Sequence, residues 1–114
     1  MSKYELDYHP VKIETGEVLS GKANIGFKKI VGFVIPEGFQ GSTIGLEADT
    51  KITNGDYRTV VDESDGTAVS ISVAANSLVP VQPATYAMLQ NVRIKAASAQ
   101  TLDVTVYIVT LAID

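Results

Sequence analysis

The chain predicts an all-β fold, a single antiparallel β-sandwich of seven to eight strands. Three observations point there. Apolar and polar residues alternate in several short runs, the period-2 signature of half-buried strands. Turn residues, including Asn54-Gly55 and Asp65-Gly66, separate those runs at roughly regular spacing, as in a sandwich. The one long stretch that breaks the alternation, AANSLVPVQPATYAMLQ, carries Pro80 and Pro83, which forbid a long helix.

Taken in order, residues 1–9 are polar and unpatterned, and are expected to form a flexible N-terminal arm that orders against a neighbour. Residues 10–114 are expected to form the single sandwich domain. Val11 and Ile13 alternate with Lys12 and Glu14, a short strand. ETGEVLSGKANIG reads as a loop or loose hairpin. KIVGFVI, Lys29 to Ile35, is nearly continuous apolar and only seven residues long, which predicts a buried central strand ended by Pro36. EGFQGS turns the chain. STIGLEAD alternates, with Ile44, Leu46 and Ala48 on one face. Asn54-Gly55 predicts a hairpin within KITNGDYRTVV. DESDG predicts a second turn, followed by the clean alternation of TAVSISV. Asn76 could cap one helical turn, and Pro83 could open another across ATYAML. NVRIKAA returns to strand and AASAQ turns. TLDVTVYIVTLAI is the longest strand signal. It sets Leu102, Val104, Val106, Ile108 and Thr110 on one face. The mixed second face, with Tyr107, Val109 and Leu111, is expected to be partly covered.

With 114 residues, 46% of them apolar, the chain can build one modest core. Charged residues are only 19%, below the usual quarter, which suggests that partners cover some surface. A net charge of -4 argues against nucleic acid as a partner. There is no cysteine, so disulfides, zinc thiolates and thiol nucleophiles are excluded. The opening MSKYELDYHP lacks the apolar core of a leader. No apolar run approaches the length of a membrane span.

Few residues offer catalysis. Asp62, Glu63 and Asp65 crowd before Gly66, but they do not alternate and no later Glu closes a calcium loop. Asp-Gly between two alternating runs reads as a hairpin tip. His9 is the lone histidine and lies in the arm, far from any expected triad. A glycosidase-like carboxylate pair would lack an aromatic platform, since tryptophan is absent. GKANIGFKK has the glycine spacing of a phosphate loop, but Phe27-Lys28 replaces the required Lys-Ser/Thr. No catalytic, cofactor or metal residue is assigned, and an enzyme is not expected. Sheet edges are the other place for function, with TLDVTVYIVTLAI as one candidate pairing surface.

From Ile35 onward the order of motifs resembles small virion structural proteins of tailed bacteriophages, of the capsid decoration, cement or head-spike type. That family shows an IP…W turn, a strand like LTFQVS, an aromatic followed by a D–DG hairpin, a DP–F turn, a strand IRIRSGT and a last strand RTITLVL. Here Ile35-Pro36 and Phe39 stand for the first turn, with Phe in place of Trp. STIGLEAD stands for the second segment. Tyr57 with DESDGTAVSI, then VQPATYAMLQNVRIKAAS and TLDVTVYIV, follow in order. AASAQ replaces the family's SGT turn. The resemblance spans about residues 29–112.

It implies a jelly-roll-like sandwich in a virion, with the head surface as its expected place and the host cytoplasm as its site of synthesis. It implies no catalytic residues. Expected partners are the major capsid protein or other virion proteins, and further copies of the chain. Membranes and nucleic acid are not. The residues assigned to partner contact are Tyr4, Tyr8 and His9 in the arm, Lys22, Lys28 and Lys29 in the basic loop, and Leu78, Val79 and Tyr86 in the proline-containing segment. The acidic arm and the lysines could pair between neighbouring copies. The competing reading is a carbohydrate- or receptor-binding module of a tail or fibre.

Overall fold

The computed structural model describes residues 4–82 and 88–113. Its strands are β1 (Tyr4–Ile13), β2 (Ala23–Asn24), β3 (Lys29–Ile35), β4 (Thr43–Ala48), β5 (Arg58–Thr59), β6 (Ile71–Ser72), β7 (Ser77–Pro80), β8 (Asn91–Ala96) and β9 (Val104–Ile113). One sheet runs β1-β9-β3-β7 and the other β2-β8-β4-β5, with β6 also on β4. Every pairing is antiparallel. The fold is the expected all-β sandwich. No helix occurs among the described residues, so none of them forms one long and apolar enough to cross a membrane.

Among the described residues there are nine strands rather than seven or eight. The run Tyr57–Val73 yields two two-residue strands, β5 and β6, on one edge of β4, and the loop expected at 14–26 contains β2. The hairpin expected at Asn54-Gly55 joins β4 to β5, and residues 51–53 belong to its turn. Asn54 N donates to Thr50 O (2.9 Å) and Asp56 N to Thr53 O (2.8 Å), with Gly55 at φ 90°. Asn76 adopts φ 57° just before β7, a turn residue rather than a helix cap. The turn expected across ATYAML falls largely on residues 83–87, outside those described.

The arm is the largest departure. Residues 4–9 form the first half of β1, paired residue by residue with β9 from Tyr4 opposite Ile113 to Ile13 opposite Val104. They look unpatterned because their alternation is inverted. Glu5, Asp7 and His9 share a face with buried Val11 and Ile13, whereas Leu6 and Tyr8 face outward.

The core is built by alternation. Val11 and Ile13, Ile44, Leu46 and Ala48, Val92, Ile94 and Ala96, and Val104, Val106 and Ile108 all turn inward. Fully burying one such large aliphatic side chain is worth on the order of 1.5–3 kcal/mol. β3 reaches the same end through a bulge. Ile30 pairs with Thr110 and Gly32 with Val109, leaving Val31 extra, so Ile30 and Phe33 both point inward. Gly32 also lets β7 approach, because a Cβ there would lie 2.9 Å from the Val79 carbonyl oxygen. At the far end of β1, Thr15 N and Oγ1 both donate to Asp103 Oδ1 (2.9 Å each), and Lys12 Nζ lies 3.3 Å from Asp103 Oδ2.

Candidate interaction surface

The register of the β1-β9-β3-β7 sheet fixes its outward face. Leu6 lies opposite Leu111, Tyr8 opposite Val109 and Pro10 opposite Tyr107. Val109 and Tyr107 in turn lie opposite Gly32 and Val34. These last lie opposite Pro80 and Leu78. Four strands therefore lay apolar residues side by side on the side away from the core. Leu6 is 50% exposed, Tyr8 57%, Leu78 77% and Tyr107 39%. A shallow depression of about 350 Å³ runs between Tyr8, Val31, Val34, Leu78, Pro80 and Val109. Lys12 and Lys29 stand at the ends of this face. Contiguous apolar surface of this kind is a candidate interaction site.

The outward face of the other sheet is polar. Glu47 lies opposite Arg93 and Gly45 opposite Lys95, while Thr59 lies opposite Glu47. Arg93 Nε donates to Glu47 Oε1 at 2.8 Å, and the guanidinium sits 4.7 Å over the Tyr57 ring. Asp49, 1% exposed, accepts from Gly55 N (2.7 Å), Asn91 N (2.9 Å) and the Asn91 amide (3.1 Å). Burial pushes the Asp49 carboxyl up, but the hydrogen bonds from Gly55 and Asn91, with the charge of Lys22, hold it below the ordinary value. Burial and the neighbouring Asp49 charge push the Tyr57 hydroxyl up, against the opposing pull of Arg93.

The residues assigned to partner contact fall in different places. Tyr8 and Leu78 lie on the apolar face. Val79 points the other way and packs against the core, because neighbours in a strand face opposite sides. His9 is half-buried, with Nε2 2.8 Å from Thr110 Oγ1. Burial pushes its pKa down, Asp7 opposes that and Lys28 adds to it. Lys28 Nζ binds Asp7 Oδ2 at 2.7 Å within the chain. This lysine is thus engaged at home, where pairing between copies was expected. The hydrogen bond and charge of Lys28 lower the Asp7 pKa. Lys22 and Lys29 are exposed. Tyr4 belongs to β1. Tyr86 lies outside the described residues. β9, expected as a possible edge, is central between β1 and β3.

The acidic run is a hairpin tip. Asp62 N donates to Thr67 O (2.7 Å), Val61 bridges Ala68, and Gly66 has φ 69°. Asp62 Oδ1 accepts from Ser64 Oγ and N, which lowers its pKa, and Asp65 Oδ1 accepts from Thr67 Oγ1 and N. The side chains are spent on closing the turn. Among the described residues no three His, Cys, Asp or Glu side chains gather as metal ligands would.

No family model matches the chain, and no curated protein matches it. Among solved structures, the crystal structure of SPBc2 prophage-derived protein YomS is similar, with a TM-score of 0.58 and 16% identity over 98% of this chain and 96% of that one. The two share a fold. At that identity no residue role passes from YomS to this chain.

Sequence reasoning missed Leu6, Val34 and Pro80 as members of the outward face. The near-continuous apolar run KIVGFVI held the signal for Val34, since a strand with one wet face would alternate. The strand order that brings the four outward sets together could not be read from any single run.

Proposed function

We propose that this chain is a structural protein of a bacteriophage particle, a capsid decoration or cement protein that docks through the apolar outward face of the β1-β9-β3-β7 sheet. The observation that carries the reading is that face itself: four strands with exposed Leu6, Tyr8, Leu78 and Tyr107 and no charge except at the ends. Two further points support it. YomS, which shares the fold, is a prophage-derived protein, and the motif order of residues 29–112 resembles virion structural proteins. Counting β5 and β6 as one interrupted strand, successive strands alternate between the sheets except at β4 and β5, which pair in one sheet, and that order supports the jelly-roll form of the sandwich. Repeated copies on a symmetric shell let weak single contacts add.

The test is sedimentation with phage heads assembled without this protein. The wild type is expected to co-sediment, and the Leu78→Glu, Tyr107→Lys double variant to stay in the supernatant with an unchanged melting temperature. A wild type that ignores the heads, or a double variant that binds as well, overturns the reading.

One observation favours a second reading, a carbohydrate- or receptor-binding module of a tail or fibre. Tyr8 lies opposite Val109, two residues from Tyr107, so two exposed rings are diagonal neighbours roughly 7–8 Å apart. Glycan-array binding lost in Tyr107→Ala, without binding to heads, would select it.

A further inference from the structure

We propose that the outer edge of β1 pairs antiparallel with the same edge of a second copy, about a two-fold axis at Tyr8. This goes beyond docking by the sheet face and stands whether or not the protein ever binds a shell.

β1 ends its sheet. Among the described residues, the backbone bond made along that edge is Gly21 N to Lys12 O, 3.0 Å. The Lys12 carbonyl therefore turns away from β9. Strand alternation turns the backbone of Leu6, Tyr8 and Pro10 the same way. Pro10 fits, having no N–H to give β9. The edge thus offers the N–H and C=O of Leu6 and of Tyr8, and the C=O of Pro10. The opposite edge is protected. β7 has four residues, and because Val81 N bonds Val31 O, Pro80 turns its ring nitrogen to the open side. β1 is ten residues long, and its own guards, Pro10 and Lys12, stand toward the end that Gly21 covers. A long edge with open backbone groups is a template for another strand.

Charge selects the occupant and the register. Outward-bonding residues must face one another, which leaves few two-fold registers. Centring on Leu6 sets Glu5 opposite Asp7. Centring on Asp7 sets that carboxylate opposite itself. Like charges directly opposite are destabilising. Centring on His9 leaves no complete pair, since Tyr8 then meets Pro10, which has no N–H, and Leu6 meets Lys12, whose carbonyl Gly21 already holds. Centring on Tyr8 sets Asp7 opposite His9 of the second copy. Asp7 uses Oδ2 for Lys28 and His9 uses Nε2 for Thr110, so Asp7 Oδ1 and His9 Nδ1 remain to meet across the axis. Tyr8 exchanges both its backbone bonds with Tyr8 of the second copy, and each Leu6 N–H reaches a Pro10 carbonyl. On the outward side Tyr8 meets Tyr8 and Leu6 meets Pro10, apolar on apolar. The two four-stranded sheets become one of eight strands with a single apolar face.

The chain has no cysteine, so one introduced thiol can only cross-link between copies. Residues 6 and 8 are exposed and outside the core. In the proposed register the two Tyr8 Cα atoms are about 5.5 Å apart, within disulfide range. The two Leu6 Cα atoms are about 14 Å apart, outside it. Under mild oxidation Tyr8→Cys is expected to form disulfide dimer at least tenfold faster than Leu6→Cys. Equal rates, or a faster Leu6→Cys, overturn the register. By light scattering the wild type is expected to rise toward twice the monomer mass with concentration, and Tyr8→Lys to stay monomeric with an unchanged melting temperature. A wild type that stays monomeric overturns the proposal.

Discussion

On β9 the outward residues are Tyr107, Val109 and Leu111; on β8, in the other sheet, they are Asn91, Arg93 and Lys95. Inward, the same two strands are alike: Val104, Val106 and Ile108 on one, Val92, Ile94 and Ala96 on the other. The inward sets make the fold, and they make it equally well under either exterior. The polar exterior satisfies itself, through Arg93 with Glu47 and Tyr57, and Asn91 with Asp49. The apolar exterior has no such internal partners to meet. What differs between the sheets is therefore the exterior and not the inward architecture.

Five variants test that contrast. The largest stability effect belongs to the polar side. Asp49→Ala removes the acceptor of two backbone N–H groups and an amide, and is expected to cost about 3 kcal/mol in urea unfolding; a loss under about 1 kcal/mol would mean that this carboxylate does not hold the end of the sheet. The same group sets an acid dependence. Its folded pKa lies below the unfolded value, so its contribution is complete above the unfolded pKa and disappears as pH falls through the folded one. Asp49→Asn should lack that acid step, and a titration in which both proteins lose the same stability contradicts it. Next, Leu78→Glu with Tyr107→Lys should lower binding to phage heads at least tenfold, about 1.4 kcal/mol, while stability changes by no more than about 0.5 kcal/mol. Then Arg93→Ala, which removes a cation–π contact and an ion pair together, should cost about 1 kcal/mol by thermal unfolding and leave head binding intact. Smallest, Lys12→Ala breaks a pair whose side chains are more than half exposed and should change stability by no more than about 0.5 kcal/mol.

Much of the core was legible because burial writes a period into each strand. STIGLEAD, NVRIKAA and TLDVTVYIVT each show it, and β4, β8 and β9 follow them. Residues 4–9 hid because polar groups take the inward positions there, with Lys28 and Thr110 meeting Asp7 and His9. Those partners come from the turn before β3 and from β9, both remote in sequence, so no local pattern announces them. Gln100 is a similar case. AASAQ reads as a plain turn, yet Gln100 is 2% exposed, and its side-chain amide both accepts from Gln40 N and donates to Gln40 O at 2.9 Å. The outward apolar face was half visible. Tyr8 and Leu78 could be named from exposure and residue type, but only the order β1-β9-β3-β7 joins them to Tyr107 and Val34 and turns Val79 away.

The pairing of β1 with β9 sets Tyr4 beside Ile113 at one end of the sheet. A pull applied between those two residues acts along the inter-strand hydrogen bonds, which lie perpendicular to the strands. The pair then opens like a zip, one rung at a time, and resists weakly for its length. Pulled instead between Tyr4 and Val104, at opposite ends of the ribbon, the strands must shear and every rung bears load at once. The protein is mechanically soft along one direction and stiff along the other, and a handle attached near Tyr4 emerges next to one attached near Ile113.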